Sequence, residues 1–198
     1  MSKIFFILGK SCSGKDTIFR ELKNNPKLKL KTVVGYTTRP MREGEKDGIE
    51  YFFVDEEKLV ALKADNKIIE SRAYNTVHGV WHYFTVNDGQ IDLNNGNYLY
   101  IGTLESYVQF VNYYGNKVVV PIYVEVETGE RLERAVKRER NQVVPKYAEL
   151  CRRFLADEED FSEDNIKKAG INTRYQNVEL KKCLEEIIDN IKEEISER

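Results

Sequence analysis

The chain has 198 residues, enough for one domain with room for a small inserted lobe. Its 31 basic and 33 acidic side chains give a net charge of −2, which excludes an overall field favouring nucleic acid or an anionic membrane. Apolar runs fall short of the ~18 residues of a membrane helix, and three cysteines without paired spacing predict free thiols in a reducing cytoplasm.

The first third of the chain alternates apolar runs with a helical pattern. Residues 3–8 form a continuous apolar run, which is typical of a strand buried on both faces and is too short for a secretion signal. A helical pattern begins at Lys15 and ends near Asn24. The next predicted elements are a strand over 32–36, a polar loop over 37–50, a strand over 51–54 and a helix over 56–63 with Leu59, Val60 and Leu62 on one side.

The rest of the chain continues the alternation of strands and helices. Short antiparallel strands are predicted within 67–86, around His78-Gly79. The remaining predictions are strands over 98–101 and 118–126 and helices over 104–113, 128–141, 146–159 and 178–197. An apolar stripe on the last helix, from Leu180 to Ile195, predicts packing against the core rather than a partner-binding face.

Strands that alternate with helices predict an α/β fold with a mostly parallel sheet covered on both faces. Residues 35–88 lack the long crossover helices of that pattern, so we expect a mixed lobe inserted into the core. The predicted core comprises residues 1–34, 89–127 and 160–198.

A glycine-rich motif follows the first predicted strand and opens the first helix. Its pattern, G-x-x-x-x-G-K, lets successive backbone N–H groups surround phosphate oxygens, and the helix dipole favours the same anion. Lys15 would reach the β- and γ-phosphates of a nucleotide. The candidate phosphate-binding residues are Gly9, Ser11, Cys12, Ser13, Gly14, Lys15, Asp16 and Thr17.

Asp16 departs from the usual form of this motif, in which Ser or Thr offers a hydroxyl to Mg²⁺. A carboxylate is also a hard oxygen ligand, so we interpret Asp16 as a metal ligand, acting directly or through water. The competing interpretation is an acidic residue in the first helical turn. Thr17 is a weaker substitute because one residue along a helix rotates the side chain by about 100°.

A second candidate site lies in the charged loop after residue 35. Arg39 and Arg42 lie three residues apart and Tyr51 follows. Guanidinium groups bind phosphate oxygens bidentately and a phenol adds a donor, so this cluster suits a phosphate monoester, although a solvated charged loop is the alternative.

The pattern from Thr37 to Val54, Thr-Thr-Arg-Pro-x-Arg-x-Gly-Glu followed by Tyr-x-Phe-Val, resembles the GMP-binding segment of guanylate kinases. The resemblance covers most of the chain and implies a P-loop NTPase fold, ATP as phosphoryl donor and Mg²⁺. It also implies that Arg39, Arg42 and Tyr51 hold the GMP phosphate. By the same resemblance Glu45 is an acidic member of that site, Glu70 reads guanine, and Tyr83 and Thr85 add contacts.

The same resemblance implies a helical lid over residues 128–159. Arg134 and Arg138 resemble the lid arginines that close over ATP, and either Arg152 or Arg153 resembles the arginine that bridges both phosphates. Asn177 resembles a residue near the adenine side.

Three positions depart from the family pattern: Tyr100 and Gly102 replace two aspartates, and Gly35 replaces a serine that contacts guanine. Three functions therefore stay open: a guanylate kinase, a nucleoside monophosphate kinase with another base preference, and a catalytically weak binding module. A P-loop ATPase acting on nucleic acid is disfavoured by the nearly neutral net charge.

The expected partners are small nucleotides in the cytoplasm, without nucleic acid or membrane. His78 and His82 are interpreted as ordinary lobe residues.

Overall fold

The computed structural model describes residues 2–76 and 79–196. The strands are β1 (Ile4–Leu8), β2 (Lys31–Thr32), β3 (Tyr36–Thr37), β4 (Phe52–Phe53), β5 (Ile68–Thr76), β6 (Gly79–Val86), β7 (Tyr98–Ile101), β8 (Val119–Glu125) and β9 (Arg174–Gln176). The helices are α1 (Lys15–Lys23), α2 (Glu56–Ala64), α3 (Leu104–Tyr114), α4 (Thr128–Arg140), α5 (Tyr147–Asp160), α6 (Glu163–Lys168) and α7 (Leu180–Ser196).

The main sheet has the strand order β2-β7-β1-β8-β9, and every pair in it is parallel. All five residues of β1 are buried, because this central strand is covered by helices on both faces. The predicted α/β class with a mostly parallel sheet is therefore confirmed. The carboxyl end of β1 opens into the loop that precedes α1, which is where open parallel sheets bind ligands.

Two apolar layers pack against this sheet. One layer contains Phe6 and the α3 residues Tyr107 and Phe110, and the other joins α1 to α7. Most of the stripe on α7 is part of that second layer: Ile187 and Ile191 are fully buried, as predicted, whereas Leu180 is 38% exposed. Throughout residues 2–76 and 79–196, no helix combines the length and apolar character needed to cross a membrane.

A second sheet, in the order β4-β3-β6-β5, lies within residues 36–86. The β3–β4 pair is parallel and the other pairs are antiparallel, so the sheet is mixed. Leu59 and Leu62 of α2 pack on Phe84 and Val86 of β6 and form a small separate core. His78, in the predicted hairpin, lies outside the described residues.

Two predictions of local structure were wrong, and two short elements were not predicted. The strand predicted over 32–36 is two short strands in different sheets, because the segment between them crosses from the core to the lobe. Val60 is 64% exposed, since the helix turns it away from Leu59. Helix α6 and strand β9 were not predicted, because each is short and β9 is defined by its pairing with β8.

Candidate active site

The glycine-rich loop is packed so closely against the core that two of its positions exclude a side chain. A Cβ atom on Gly9 would lie 2.4 Å from the carbonyl oxygen of Val124. One on Gly14, whose φ is 89°, would lie 2.2 Å from Nδ2 of Asn177. The sequence therefore places glycine where the backbone itself must form the cradle.

A contact with Asn177 holds the loop in this shape. Asn177 is buried, and its Nδ2 donates to the carbonyl oxygen of Ser13 at 2.8 Å. Cys12 takes the left-handed conformation, with φ of 65°. The Oγ atom of Ser13 is buried without a hydrogen-bond partner among the described residues, so the loop retains an unused polar group, as a phosphate cradle would. Asn177, predicted on the adenine side, lies directly beneath the loop.

Lys15 and Asp16 begin helix α1 beside this cradle. The Nζ atom of Lys15 lies 3.6 Å from Oδ2 of Asp16, and the aspartate side chain is 82% exposed. Thr17, the next residue, is half-buried. Within residues 2–76 and 79–196 no group of three or more His, Cys, Asp or Glu side chains forms a metal cage. Asp16 still fits Mg²⁺, since this ion is commonly held by one or two carboxylates with substrate phosphates and water.

Arg39 is the buried centre of the second predicted site. Its guanidinium binds Glu45 bidentately, at 2.7 and 2.5 Å, and lies over the rings of Tyr51 and Phe53 at 5.3 and 5.2 Å. The hydrogen bonds from Arg39 lower the pKa of Glu45 to about 2, and Glu45 in turn raises the pKa of Arg39. Glu45 also accepts from the backbone N–H of Arg42 at 2.8 Å, so it fixes the loop that carries both arginines.

Two clefts meet above the phosphate loop. The first, called the basic cleft, has a volume of about 650 Å³ and is lined by Arg42, Arg131, Arg138 and Arg153 beside the loop residues Ser11 and Cys12. The second, called the acceptor cleft, has a volume of about 1140 Å³ and includes Tyr51, Arg72, Tyr74 and Tyr83. Ser11, Glu149 and Arg153 line both clefts, so the clefts adjoin at these residues.

Glu70, the predicted base reader, is buried at the back of the acceptor cleft. Its carboxylate accepts from Nε of Arg72 at 2.9 Å and from the hydroxyl of Thr85 at 2.8 Å. The phenol of Tyr100 contacts Thr85 at 2.7 Å and Glu70 at 3.4 Å. Burial opposes the charge on Arg72, but the Glu70 carboxylate raises the pKa of the guanidinium above its ordinary value.

Tyr83 and Thr85 lie two residues apart on β6 and therefore on one face of the strand, but they differ in exposure. Tyr83 lines the acceptor cleft, with its ring centroid 5.6 Å from those of both Tyr51 and Tyr74. Thr85 is fully buried and binds Glu70. Burial raises the pKa of Tyr51, so its phenol stays protonated as a donor at neutral pH.

The predicted lid arginines lie in different places. Arg138 lines the basic cleft, whereas Arg134 contacts Glu130 at 2.9 Å and the carbonyl oxygen of Asn177 at 3.1 Å. Arg131, which was not predicted as a site residue, lines the same cleft as Arg138. Side chains seven positions apart on a helix point within about 20° of the same direction, whereas side chains four positions apart differ by about 40°. Arg131 and Arg138 are therefore more closely aligned on α4 than Arg134 and Arg138 are.

Arg152 and Arg153 are also distinguished by their contacts. Arg152 is exposed and pairs with Glu149 at 2.7 Å on its own helix. Arg153 reaches the Oγ atom of Ser11 at 3.5 Å and lines both clefts. The structure thus brings Arg153 nearer to the phosphate loop, and the role of either residue stays a prediction.

A junction between lid and phosphate loop was missed by the sequence analysis. The members of this lid junction are Lys10, Ser11, Arg131, Asp157 and Glu158. The backbone N–H of Ser11 donates to Asp157 at 2.8 Å, and Arg131 donates to Asp157 and to the Ser11 carbonyl oxygen at 3.3 Å each. Glu158 binds both Lys10, at 2.7 Å, and Arg131.

Arg131 is the most buried member of the lid junction, with 1% of its side chain exposed, and lies 3.8 Å above the ring of Phe154. Burial tends to raise the pKa of Glu158, but its contacts with Lys10 and Arg131 lower the pKa below the ordinary value. The adjacent acids at the end of the predicted helix were the available sequence signal for this junction.

The positions that depart from the family pattern have different surroundings. A Cβ atom on Gly35 would make ordinary contacts, at 3.6 Å or more. One on Gly102 would lie 2.4 Å from Oγ of Ser106 and 2.7 Å from the ring of Phe6. The core around Gly102 is therefore packed for glycine, and an aspartate there would require Phe6 to move.

Comparisons with known proteins agree with this architecture. The family model described as guanylate kinase matches residues 1–178. The guanylate kinase of Mycoplasma capricolum is 29% identical over 189 residues, covering 95% of this chain and 55% of that protein. The guanylate kinase of Malacoplasma penetrans is 29% identical over 182 residues, covering 88% of this chain and 81% of that protein.

A solved structure gives the same fold. The crystal structure of guanylate kinase from Anaplasma phagocytophilum matches with a TM-score of 0.66 at 20% identity, covering 98% of this chain and 86% of that one. The expected P-loop NTPase fold is thereby confirmed. The chain belongs to the guanylate kinase family. It spans about half the length of the Mycoplasma capricolum relative.

Proposed function

We propose that this chain is an ATP-dependent nucleoside monophosphate kinase that phosphorylates GMP or dGMP in the cytoplasm, with ADP as the second product. The observation that carries the proposal is the placement of the two clefts, which adjoin at the phosphate-loop residue Ser11: Arg42 lines the basic cleft beside this loop, and Tyr51 lines the acceptor cleft. Phosphoryl transfer requires two phosphate groups to be held in line, and this arrangement provides both positions.

On the donor side, the loop from Gly9 to Gly14 would hold the ATP phosphates with backbone N–H groups. Lys15 would neutralise charge on the β- and γ-phosphates. Asp16 would hold Mg²⁺ together with phosphate oxygens. The ion would supply further neutralisation of the transferring group.

On the acceptor side, Arg42 and Tyr51 would bind the phosphate of the monophosphate. Both side chains line the clefts, whereas Arg39 is engaged with Glu45 and sets the shape of the loop. Tyr83 would pack against the bound nucleotide beside Tyr51. Positioning and charge are sufficient for this chemistry, so no protein nucleophile is expected.

The lid would complete the site. Arg138 and Arg153 would place positive charge over the equatorial oxygens of the transferring phosphoryl group, and closure of α4 and α5 would exclude water. Arg134 would approach bound ATP from the side of the phosphate loop where Asn177 lies. Arg152 would remain in the wall of the acceptor cleft. The substrates are small nucleotides, and no nucleic-acid partner is proposed.

A second candidate is a nucleoside monophosphate kinase with another base preference, and the contact of Arg72 with Glu70 favours it. An ADP-release assay with GMP, dGMP, AMP, CMP and UMP separates the two. We expect saturable turnover with guanine nucleotides and a loss of at least ~100-fold in kcat for Lys15→Ala. Lys23→Ala, at the other end of α1, is the matched control and should retain activity. Nucleotide binding without turnover would contradict both enzyme functions and indicate a binding module.

A further inference from the structure

Ser11 of the phosphate loop is held by side chains of the lid. Its backbone N–H donates to Oδ2 of Asp157 at 2.8 Å, and its carbonyl oxygen accepts from Nη1 of Arg131 at 3.3 Å. Its hydroxyl accepts from Nη2 of Arg153 at 3.5 Å. The polar groups of Ser11 therefore contact α4 and α5, which lie at least 120 positions away in the sequence.

The core holds the other end of the same loop. Asn177 donates to the carbonyl oxygen of Ser13 and leaves no space for a side chain at Gly14. Asn177 lies between β9 and α7, outside the lid. The loop is thus supported on two sides, and a movement of the lid away from the core would release the support at Ser11.

Arg131 and Asp157 act on Ser11 as one unit. Oδ2 of Asp157 accepts from the Ser11 N–H and also from Nη1 of Arg131, so a single oxygen atom joins the loop to both lid helices. Arg131 is 1% exposed and Asp157 is 17% exposed. Hydrogen bonds that involve a charged group are stronger than neutral ones, and a guanidinium packed over the ring of Phe154 has little freedom to move. The pair is therefore a rigid support for the Ser11 peptide.

Charge alone predicts a different role for Asp157. Its carboxylate lies beside a loop that receives phosphate, so repulsion by itself would make Asp157 an inhibitor of ATP binding. Arg131 lies 3.3 Å from this carboxylate, however, and Lys10 pairs with Glu158 next to it. Two positive and two negative side chains meet in the lid junction, so its charges largely cancel. The support given to Ser11 is the effect that remains.

We propose that Arg131 and Asp157 are positioning residues for the phosphoryl donor: together they hold the Ser11 peptide, so that the docked lid shapes the phosphate loop for ATP. This proposal rests on the proposed function, because ATP is the donor of that reaction. It means that the lid acts on ATP through the loop as well as through the arginines of the basic cleft. A displacement of about 1 Å can cost an active site ~100-fold, so loss of this support is large enough to measure.

The test is the equilibrium binding of MgATP and of GMP to the full chain carrying Asp157→Ala. Arg131 keeps Glu158 as a partner in this variant, so the change removes mainly the support of Ser11. We expect the Kd of ATP to rise at least ~5-fold and the Kd of GMP to rise by a smaller factor. A smaller rise for ATP overturns the proposal, and a fall would show that Asp157 repels ATP. An equal or larger rise for GMP would indicate a general loss of structure and also overturn it.

Asp157→Asn separates the hydrogen bond from the charge. The amide oxygen of asparagine still accepts from the Ser11 N–H, so Asp157→Asn should bind ATP more tightly than Asp157→Ala does. Equal or weaker binding would assign the effect to the charge and contradict the proposal. Arg140→Met on α4 and Asp164→Ala on α6 are the matched controls, since both side chains are exposed, and they should leave the affinity for ATP unchanged.

Binding and turnover together separate this proposal from the kinase proposal. If Asp157→Ala weakens ATP as expected but the wild type phosphorylates no nucleoside monophosphate, the kinase proposal fails and the role of Asp157 is supported. If the wild type phosphorylates GMP and Asp157→Ala binds ATP equally well, the kinase proposal is supported and the role of Asp157 is refuted. Should Asp157→Ala fail to fold, Arg131→Lys keeps the charge but lacks the planar fork that reaches Ser11 and Asp157 together. It should raise the Kd of ATP at least ~5-fold, and a smaller rise would overturn the proposal.

Discussion

We expect the ion pairs of the lid junction to contribute measurably to the free energy of unfolding. Replacing Arg131 with methionine keeps most of the side-chain length over the ring of Phe154 but removes the guanidinium that binds Asp157 and Glu158. Loss of one partner of a fully buried ion pair costs about 3–5 kcal/mol. Here Asp157 and Glu158 have 17% and 37% of their side chains exposed, and Lys10 remains bound to Glu158. We therefore expect a loss of about 2–3 kcal/mol in the free energy of unfolding.

In a chain of this size that loss corresponds to a fall in Tm of about 6–9 °C. The assay is urea unfolding followed by circular dichroism, with thermal unfolding as a second measurement. Arg20→Met is the control, since Arg20 is exposed on α1 and its ion pair with Glu21 spans 3.9 Å. It should change stability by less than about 0.5 kcal/mol.

A double-mutant cycle tests whether the loss comes from the Arg131–Asp157 contact itself. Asp157→Asn retains an acceptor for the Ser11 N–H but removes the charge, so we expect Arg131→Met and Asp157→Asn to be non-additive by about 1 kcal/mol or more. The reasoning is refuted if Arg131→Met behaves like Arg20→Met, or if the two changes at the lid junction add without coupling.

Three further predictions follow from the geometry. Gly14→Ala should lose at least ~10-fold in ATP affinity and about 1–3 kcal/mol of stability, because its Cβ would collide with Nδ2 of Asn177. Gly44→Ala is the control: Gly44 has a similar φ of 85° but lies in open space, so this variant should suffer only the backbone strain. Gly102→Asp should destabilise the protein by about 2–4 kcal/mol in urea unfolding, since the aspartate would displace a core phenylalanine ring, whereas Gly35→Ser should be tolerated within about 1 kcal/mol. The hydrogen bonds from Arg39 lower the pKa of Glu45 from 4.5 to about 2, so the Glu45 carboxylate should stabilise the fold above pH 4.5 and lose that effect as pH falls toward 2. The difference in unfolding free energy between the wild type and Glu45→Gln should therefore be smaller at pH 3 than at pH 6.

Each of these has an opposing outcome. Equal ATP affinity in the Gly14 and Gly44 variants would show that the cradle tolerates a side chain. A stable Gly102→Asp protein would show that Phe6 moves freely. A stability gap for Glu45→Gln that grows on acidification would contradict the direction of the pKa shift.

The local pattern of the sequence predicted the parts of the fold that depend on neighbouring residues. The buried run of β1, the glycines of the phosphate loop and the start of α1 at Lys15 are all visible within fifteen residues, because strand burial, tight backbone turns and helix initiation are short-range effects. The arginine loop and its resemblance to guanylate kinases were likewise readable, and the family comparison agrees with that assignment.

Only the tertiary structure decided which side chains meet. It showed that Thr85 of β6 binds Glu70 of β5, that Arg131 rather than Arg134 lines the basic cleft with Arg138, and that Asp157 accepts from the N–H of Ser11. These contacts join residues up to 146 positions apart, and they depend on the register between strands and on the rotation of the lid helices. The phosphate loop is therefore encoded in adjacent residues, whereas the lid junction is set by packing, because its buried charges are paired with partners that lie far apart in the sequence.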